Sequence, residues 1–340
     1  MPSSVALGRR CFFGMYPEGV LMKPRIVLTR PMTDAVMERA RNEFDAVLPP
    51  PGGLDLESTL NALEEHKAEG LFFTSGTKLD AATIARIPAH VKIAGTCSVG
   101  YDHIDVEAAK ARGLIITNTP DVLNNATADM AFLLILGACR RAAEYDQIMR
   151  KGWGRFFGMH EMLGLDVSGK TLGIVGMGRI GRAVARRARG FDMKVVYHNR
   201  TRLDADLEEG AEYYADLKEM LPRCDVLTLH APGGVGTAGL MNRETFSLLP
   251  KAAVFVNTAR GSLVDEEALL EALDSGQLFA AGLDVFAKEP TVDPRIAAHP
   301  KVFLAPHMGS ATVETRTAMG FRVLDNIAAV AAGKPPIDPV

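Results

Sequence analysis

Three polar residues, Arg260, Glu289 and His307, each follow a short apolar run of the kind that forms a buried strand. The carboxyl ends of parallel strands border the ligand crevice of an α/β sheet, so these side chains could converge. A histidine paired with a carboxylate is a good general acid, and an arginine holds a carboxylate through two parallel hydrogen bonds. Taken singly, Arg260 could cap a helix, Glu289 could be an ordinary loop acid and His307 could be a structural histidine.

A glycine-rich motif, Gly176-x-Gly178-x-x-Gly181, lies between an apolar run that ends at Val175 and a helix-forming run of Ala and Arg. Gly176 permits a tight turn, Gly178 allows a pyrophosphate to approach the backbone, and Gly181 allows the helix to pack closely on the strand. The motif alone is a weak signal. Its strand–turn–helix context and the second apolar run, Lys194–His198, predict a dinucleotide site.

The loop after this second run lacks the acidic residue that usually binds the ribose 2′-hydroxyl of NAD. It reads Asn199, Arg200, Thr201, Arg202, so that two guanidinium groups and a hydroxyl stand where the acid is expected. Arginine matches phosphate oxygens in a bidentate manner, whereas a carboxylate would repel a 2′-phosphate. The loop therefore favours NADPH, with NADH as the weaker cofactor. The alternative interpretation is a solvated basic loop.

A nicotinamide cofactor and the three polar residues together suit hydride transfer to a carbonyl group. Such a transfer needs an acid that protonates the forming alkoxide. His307 could be that acid, because a neighbouring Glu289 would raise its pKa and fix its tautomer. A 2-oxo acid also needs a cation for its carboxylate, and Arg260 could supply one.

Short apolar runs alternate with amphipathic stretches from residue 25 onward. This βαβ rhythm predicts an α/β protein with parallel sheets that are covered by helices on both faces. The predicted strands are Arg25–Thr29, Ala46–Leu48, Leu71–Thr74, Ile93–Cys97, Leu114–Asn118, Thr171–Val175, Lys194–Tyr197, Val226–Leu229, Ala253–Asn257, Ala280–Val285 and Val302–Leu304. The predicted helices include Leu56–Lys67, Asp105–Arg112, one long helix over Ala126–Met149 with Asn124 and Asn125 as possible caps, and Thr312–Ala332.

Length and composition limit the classes of function. A chain of 340 residues should form about two domains, and a net charge of −3 gives no electrostatic reason to bind nucleic acid or an anionic membrane. No apolar run reaches the ~18 residues that a membrane span needs. Four widely spaced cysteines predict reduced thiols in a cytoplasmic protein, and no metal site. Residues 1–21 are expected to form a mobile extension, with a signal peptide as the alternative.

The sequence resembles the D-isomer-specific 2-hydroxyacid dehydrogenase family, and especially its glyoxylate/hydroxypyruvate reductase branch. The resemblance covers nearly everything from Met22 to the C-terminus. The motifs that carry it are Ser98-Val-Gly-Tyr-Asp-His-Ile-Asp105, Gly176-Met-Gly-Arg-Ile-Gly181, Asn257-Thr-Ala-Arg-Gly261, Gly282-Leu-Asp-Val-Phe286, Glu289-Pro290 and Pro306-His-Met-Gly-Ser-Ala-Thr312.

This resemblance implies a role for each candidate site residue. Arg260 would bind the substrate carboxylate and carbonyl, His307 would be the general acid/base, and Glu289 would be its partner. Backbone amides of Val99 and Gly100 would also clamp the carboxylate. Asp284 would hold the nicotinamide carboxamide. The implied cofactor-binding residues are Thr127, Gly176, Gly178, Arg179, Ile180, Gly181, Asn199, Arg200, Thr201, Arg202, Pro232, Ala259, Asp284, His307 and Gly309.

The resemblance also implies two doubly wound α/β domains, with a Rossmann cofactor domain inserted into a flavodoxin-like substrate domain. The substrate domain would comprise residues 22–121 and 306–340, and the NADP-binding Rossmann domain would comprise residues 122–305. A homodimer formed largely by the cofactor domains is the family's usual state. Trp153 would lie near the substrate, of its own or of the partner subunit, or would pack in the subunit interface.

The implied activity is the NADPH-dependent reduction of glyoxylate and hydroxypyruvate to glycolate and D-glycerate. Two alternatives stay open: a hydroxyphenylpyruvate-type reductase, whose substrate carries an aromatic ring, and a nicotinamide-sensing binding protein on the same fold. Two features depart from the family pattern. Asn199 stands where NAD-using members carry an acid, and the loop Ala231–Thr237 is unusually rich in glycine.

Overall fold

The computed structural model describes residues 23–340, which divide into two compact units. One unit comprises residues 23–122 and Thr312–Val340, and the other comprises Leu123–Ala311. The predicted domain boundaries, after residues 121 and 305, lie one and six residues before the boundaries between the two units in the structure. The second boundary lies later because the backbone of residues 307–309 is hydrogen-bonded to Asp284. The expected N-terminal extension, residues 1–21, lies outside the described residues.

The secondary structure alternates between strands and helices through both units. In chain order the strands are β1 Arg25–Leu28, β2 Asp45–Val47, β3 Gly70–Phe73, β4 Ile93–Thr96, β5 Ile115–Thr117, β6 Thr171–Val175, β7 Lys194–His198, β8 Glu212–Tyr214, β9 Val226–Leu229, β10 Ala253–Asn257, β11 Leu278–Leu283 and β12 Val302–Leu304. The helices are α1 Asp34–Glu43, α2 Leu56–Glu65, α3 Ala81–Arg86, α4 Val106–Arg112, α5 Asn124–Cys139, α6 Ala142–Arg150, α7 Arg179–Arg189, α8 Ala205–Glu208, α9 Leu217–Met220, α10 Arg243–Ser247, α11 Glu266–Asp274, α12 Pro294–Ala298 and α13 Val313–Ala331.

The first unit is built on a parallel sheet with the strand order β2-β1-β3-β4-β5, which is the flavodoxin-like order. Its central strands β1, β3 and β4 are largely buried because both faces of the sheet are covered, and Ile26, Val27 and Leu28 of β1 are fully buried. Aspartates begin three of its helices. The carboxylates of Asp55, Asp80 and Asp105 accept hydrogen bonds of 2.7–2.9 Å from backbone N–H groups in the first turn.

A buried polar network around Asn326 on α13 holds the C-terminal segment in this unit. The side-chain amide of Asn326 donates to Asp338 at 2.8 Å, and its oxygen accepts from the backbone N–H groups of Ile337 and Asp338 at 2.9 Å each. Arg322 donates two hydrogen bonds to the Asp338 carboxylate. The last residues thereby pair with the end of β5.

Replacing Asn326 with Leu should therefore destabilise the first unit. The change leaves two backbone N–H groups without their acceptor, at a cost of about 1–3 kcal/mol. We expect the melting temperature of this unit to fall by about 2–8 °C in scanning calorimetry of the full chain. Asn61→Leu, at an exposed position on α2, is the matched control and should change it by less than about 2 °C. An unchanged melting temperature for Asn326→Leu would contradict this role.

The second unit is built on a parallel sheet with the order β8-β7-β6-β9-β10-β11-β12. Numbered within the unit, this is the Rossmann order 3-2-1-4-5-6 with a seventh strand added. The strand order reverses between β6 and β9, and the glycine motif follows β6 directly at this switch point. The two sheets confirm the predicted fold class.

The long helix predicted over Ala126–Met149 is wrong, because the chain breaks into α5 and α6 at Arg141. Arg141 has a left-handed backbone with φ +55°, and its guanidinium donates to Glu144 at the start of α6. The predicted caps are also wrong. Asn124 and Asn125 lie inside α5, and Leu123, the residue before this helix, makes no side-chain cap.

Each of the eleven predicted strands is present, with ends that differ by at most two residues. The strand β8 was not predicted. Residues 23–340 contain no helix with the length and apolar character that a membrane crossing requires. The same residues contain no cluster of histidine, cysteine and acidic side chains that could hold a metal ion.

Candidate active site

The glycine motif forms a turn between β6 and α7. Gly176 has φ +95°, and a Cβ there would lie 2.5 Å from the backbone nitrogen of Ala231. A Cβ on Gly181 would lie 2.4 Å from the carbonyl oxygen of Gly176. A Cβ on Gly178 would project into open space. Backbone packing therefore requires the first and third glycines, and the backbone at Gly178 is open to the approach of a ligand.

The start of α7 and the loop after β7 adjoin this turn. Arg179 and Ile180 form the first turn of α7, whose leading N–H groups lack partners within the helix and favour an anion. Asn199, which follows β7, accepts a hydrogen bond of 2.7 Å from the backbone N–H of Met177. Its side chain therefore ties the loop after β7 to the glycine turn.

The structure gives Arg202 an ion pair that the sequence did not predict. Its Nε and Nη2 donate to the carboxylate of Glu208 at 2.8 and 3.1 Å, and the hydroxyl of Tyr197 donates to the same carboxylate at 2.6 Å. The hydrogen bond from Arg202, with that from Tyr197, lowers the pKa of Glu208 to about 2. Arg200 and Thr201 are exposed.

The three polar residues at the strand ends come together in the unit Leu123–Ala311. Arg260 follows β10, Glu289 follows β11 and His307 follows β12, and these strands are neighbours. His307 Nδ1 lies 2.6 Å from Glu289 Oε2. Arg260 is close enough for its charge to oppose protonation of His307 and to favour ionisation of Glu289. The arrangement combines an acid–base pair with a cation for an anionic ligand.

The hydrogen bond to Glu289 raises the pKa of His307 above its ordinary value of 6.5, although burial and the charge of Arg260 act in the opposite direction. Burial opposes ionisation of Glu289, but hydrogen bonds from His307 and from the backbone N–H of Phe286 outweigh it and lower the pKa of Glu289. His307 therefore keeps its proton to a higher pH than a free imidazole does. Because Nδ1 faces Glu289, Nε2 is the nitrogen that can donate a proton to a ligand.

Asp284 holds the backbone on which His307 is mounted. Its carboxylate accepts hydrogen bonds from the N–H groups of Met308 at 2.6 Å and Gly309 at 2.8 Å, and its carbonyl accepts from the N–H of His307. His307 has a left-handed backbone with φ +55°, which these three bonds maintain. A Cβ on Gly309 would lie 3.4 Å from Thr127, so Thr127 adjoins the same loop.

The turn after β10 positions Arg260. Asn257 donates to the carbonyl of Arg260 at 2.8 Å and accepts from the N–H of Ala259 at 2.9 Å. Arg260 Nη1 donates to the carbonyl of Ala259 at 2.7 Å. A Cβ on Gly233 would lie 3.1 Å from Arg260 Cγ, so the segment Pro232-Gly233 passes beside this side chain.

Val99 and Gly100 lie in the other unit, in the loop after β4. The side-chain amide of Asn118 donates to the carbonyl of Val99, and the hydroxyl of Ser98 donates to the carbonyl of Gly100, both at 2.8 Å. Among residues 23–340 the N–H groups of Val99 and Gly100 have no acceptor. This loop can therefore offer two backbone donors to an anion.

Comparison with known proteins gives the family. Residues 132–309 match the family model described as D-isomer specific 2-hydroxyacid dehydrogenase, NAD binding domain. A glyoxylate reductase of Thermococcus litoralis is 39% identical over 325 residues, which cover 93% of this chain and 96% of the relative. The chain belongs to the D-isomer-specific 2-hydroxyacid dehydrogenase family. A glycerate dehydrogenase of Hyphomicrobium methylovorum is 38% identical over 92% of this chain and 98% of the relative.

Solved structures of similar proteins have the same fold. A glyoxylate reductase from Paecilomyes thermophila is 34% identical with a TM-score of 0.83, and the match covers 94% of this chain and 98% of that one. An NADPH-dependent glyoxylate/hydroxypyruvate reductase from Sinorhizobium meliloti, solved with NADP and malonate, is 35% identical with a TM-score of 0.82, over 94% and 97% of the two chains. The resemblance to the glyoxylate/hydroxypyruvate reductase branch is therefore confirmed. A dehydrogenase of this kind interconverts a 2-hydroxy acid and a 2-oxo acid.

In this dehydrogenase the ring of Trp153 packs against a neighbour on its own segment. It is on the segment that follows α6, about half exposed, and its ring packs edge-on against Phe156. Within the described residues its aromatic contact is with Phe156, and none is with the strand-end residues. Phe156 and Met159 are also strongly exposed, so this segment presents an apolar surface.

Several residues that support the site were not predicted. Asn118 directly follows β5, and Asn257 is the last residue of β10. Arg260 was selected because it follows a strand, and the same criterion could have selected these two residues. Glu208 ends a four-residue helix after an irregular loop. No local pattern in the sequence indicates that it pairs with Arg202.

Proposed function

We propose that this dehydrogenase uses NADPH to reduce small 2-oxo acids, glyoxylate and hydroxypyruvate, to glycolate and D-glycerate. The observation that carries the proposal is the pair of His307 and Glu289, 2.6 Å apart, beside Arg260 at the carboxyl ends of three adjacent strands. Relatives named glyoxylate reductase and glycerate dehydrogenase support this substrate class.

The nicotinamide cofactor supplies a hydride when it is bound. Arg260 binds the substrate carboxylate and stabilises negative charge on the carbonyl oxygen. The N–H groups of Val99 and Gly100 are proposed as donors to a carboxylate. His307 donates the Nε2 proton to the carbonyl oxygen, because its Nδ1 is held by Glu289. Glu289 keeps the imidazole in this orientation and stabilises its protonated form.

The unit Leu123–Ala311 is proposed to be the NADP-binding domain. Its glycine turn, with Arg179 and Ile180, would hold the pyrophosphate. Thr127, Pro232, Ala259, Asp284 and Gly309 adjoin Arg260 or the His307 loop, which supports a place for them at the nicotinamide end. The loop Asn199–Arg202, with Arg200 exposed and no acid, favours NADPH, and NADH would bind more weakly. The name of the Sinorhizobium meliloti reductase supports this preference.

Residues 23–122 and 312–340 are proposed to form the substrate domain. We also propose a homodimer in the cytoplasm. The exposed apolar segment with Trp153 supports a subunit interface, in which Trp153 would pack or reach the partner's substrate. Cys97, Cys139 and Cys224 are free thiols, which agrees with a location in a reducing compartment.

The pH dependence of reduction should follow the His307–Glu289 pair. Since Glu289 raises the pKa of His307, kcat/KM for glyoxylate should fall as the pH rises through this raised pKa and the imidazole loses its proton. In Glu289→Gln the pKa of His307 should drop, because burial and Arg260 then act without the carboxylate, and the fall should move to lower pH. Initial rates measured from about pH 5 to about pH 9 test this expectation. A profile that does not move would contradict the pairing.

Asn118→Ala should weaken substrate binding more than it slows turnover. The change frees the carbonyl of Val99, so the two N–H donors of the loop lose their fixed direction. A hydrogen bond of this kind contributes about 1 kcal/mol, and we expect KM for glyoxylate to rise about fivefold while kcat changes less than about twofold. Asn61→Ala is the matched control. A loss confined to kcat would contradict this role.

The experiment that tests the proposed function is a rate panel with saturating NADPH and glyoxylate, hydroxypyruvate or hydroxyphenylpyruvate as substrate. We expect the two small acids to have the highest kcat/KM. A preference for hydroxyphenylpyruvate would replace the proposed substrate with an aromatic one. Equimolar binding of NADPH without turnover of any 2-oxo acid would instead indicate a nicotinamide-sensing binding protein.

A further inference from the structure

His230 is a histidine near Arg260 that the proposed reaction does not use. It directly follows β9, which lies in the sheet between β6, with the glycine turn, and β10, with the turn that carries Arg260. Its Nε2 lies 3.0 Å from the hydroxyl of Thr228, and its Nδ1 lies 3.3 Å from the hydroxyl of Thr258. The ring therefore links β9 to the residue that directly follows β10.

The two hydroxyls hold the imidazole of His230 in one orientation. Thr228 is fully buried, and Thr258 is 9% exposed. Burial lowers the pKa of His230 to about 3, so the ring is neutral at the pH of the reaction. A neutral imidazole has one nitrogen that donates and one that accepts, and a threonine hydroxyl can do either. His230 is thus a fixed polar bridge and not a second acid beside His307.

The backbone of His230 is fixed by the glycine turn and the strand before it. Its N–H donates to the carbonyl of Val175 at 2.7 Å. A Cβ on Gly176 would lie 2.6 Å from the carbonyl carbon of His230, so the two backbones are in close contact. The ring of His230 therefore offers a fixed point to which a neighbouring turn can be hydrogen-bonded.

The turn after β10 is closed by its own residues and linked to β9 through Thr258. The side chain of Asn257 bonds to the carbonyl of Arg260 and to the N–H of Ala259, which fixes the shape of the turn. The ladder between β9 and β10 ends at Asn257. Beyond the ladder, the hydroxyl of Thr258 reaches His230 two residues before Arg260, and this contact can orient the turn relative to β9.

We propose that His230 is a positioning residue for Arg260 and that it acts through the hydroxyl of Thr258. The ring orients the turn from which the side chain of Arg260 extends, so that the guanidinium is directed at the substrate carboxylate. Thr228 holds the ring from its other nitrogen. This assignment rests on the proposed role of Arg260 and adds the contact that supports it.

The test measures binding of oxalate, an analogue of glyoxylate that cannot be reduced, by titration calorimetry with the full chain and saturating NADPH. Thr258→Val keeps the shape of the side chain and removes the hydroxyl, so the Kd of oxalate should rise about fivefold, the effect of one hydrogen bond. Thr228→Val removes the other contact of the same ring and is the matched control. It should leave this Kd within about twofold of the wild-type value.

Two substitutions of His230 separate positioning from general packing. The polar atoms of asparagine lie near the place of Nδ1, so His230→Asn can keep the bond to Thr258. Those of glutamine lie near the place of Nε2, so His230→Gln can keep only the bond to Thr228. Both variants should lower the melting temperature. The Kd of oxalate should stay within about twofold in His230→Asn and rise about fivefold in His230→Gln.

Equal weakening of oxalate binding in His230→Asn and His230→Gln, in step with their melting temperatures, would make His230 a purely structural residue and overturn the assignment. Weaker binding in Arg260→Ala with none in Thr258→Val would also overturn the assignment, and it would leave the role of Arg260 intact. Oxalate binding in Arg260→Ala as tight as in the wild type would overturn the carboxylate contact itself, and the assignment of His230 with it.

Discussion

Replacing His307 with Gln should lower kcat for glyoxylate reduction by at least about a hundredfold. Glutamine can still offer a hydrogen bond to the carbonyl oxygen, but it has no proton to transfer at neutral pH, so the alkoxide forms without its acid. KM should change much less, because Arg260 still holds the substrate carboxylate. Initial rates that follow the loss of NADPH absorbance give both constants.

His66→Gln is the matched control for this variant. His66 lies at the end of α2 in the other unit, where its Nε2 is hydrogen-bonded to the backbone of Asp45. This control should keep wild-type kcat. A His307→Gln enzyme that retains most of its kcat would show that another group supplies the proton, and the assignment of His307 would be wrong.

Replacing Arg260 with Ala should lower kcat/KM for glyoxylate by about a thousandfold. The variant loses both the fork that binds the carboxylate and the positive charge beside the developing oxyanion, so KM should rise and kcat should fall. Arg260→Lys keeps the charge without the planar fork, and its kcat/KM should lie between those of Arg260→Ala and the wild type.

Arg243→Ala is the matched control for the arginine variants. Arg243 is exposed on α10 and pairs with Glu271, so its loss should leave both kinetic constants near their wild-type values. An unchanged KM in Arg260→Ala would contradict the proposed carboxylate contact. A KM that rises with an unchanged kcat would limit Arg260 to ground-state binding.

The sequence was sufficient to predict the strands, because parallel strands buried on both faces are continuous apolar runs. It did not predict β8, whose sequence Glu-Tyr-Tyr at the sheet edge is short and half-exposed. Nor did it predict the break between α5 and α6. Arg141 is an ordinary helix former, and its left-handed backbone depends on contacts with Glu144 and with the backbone of Leu163.

The candidate site could be predicted as far as strand ends define it. Arg260, Glu289 and His307 follow adjacent strands, and the structure places them together. The contacts that orient them are between residues distant in sequence, as in the hydrogen bonds from Met308 and Gly309 to Asp284. Such contacts leave no local pattern, and they had to be found in the folded chain.

The most direct test of the central claim is kcat/KM for glyoxylate with NADPH and with NADH, measured side by side at neutral pH. We expect turnover with both and a preference for NADPH of about tenfold or more, equivalent to ~1.4 kcal/mol of transition-state stabilisation. Equal use of the two cofactors, or a preference for NADH, would contradict the cofactor assignment. The absence of turnover with either would contradict the proposal that this dehydrogenase reduces glyoxylate.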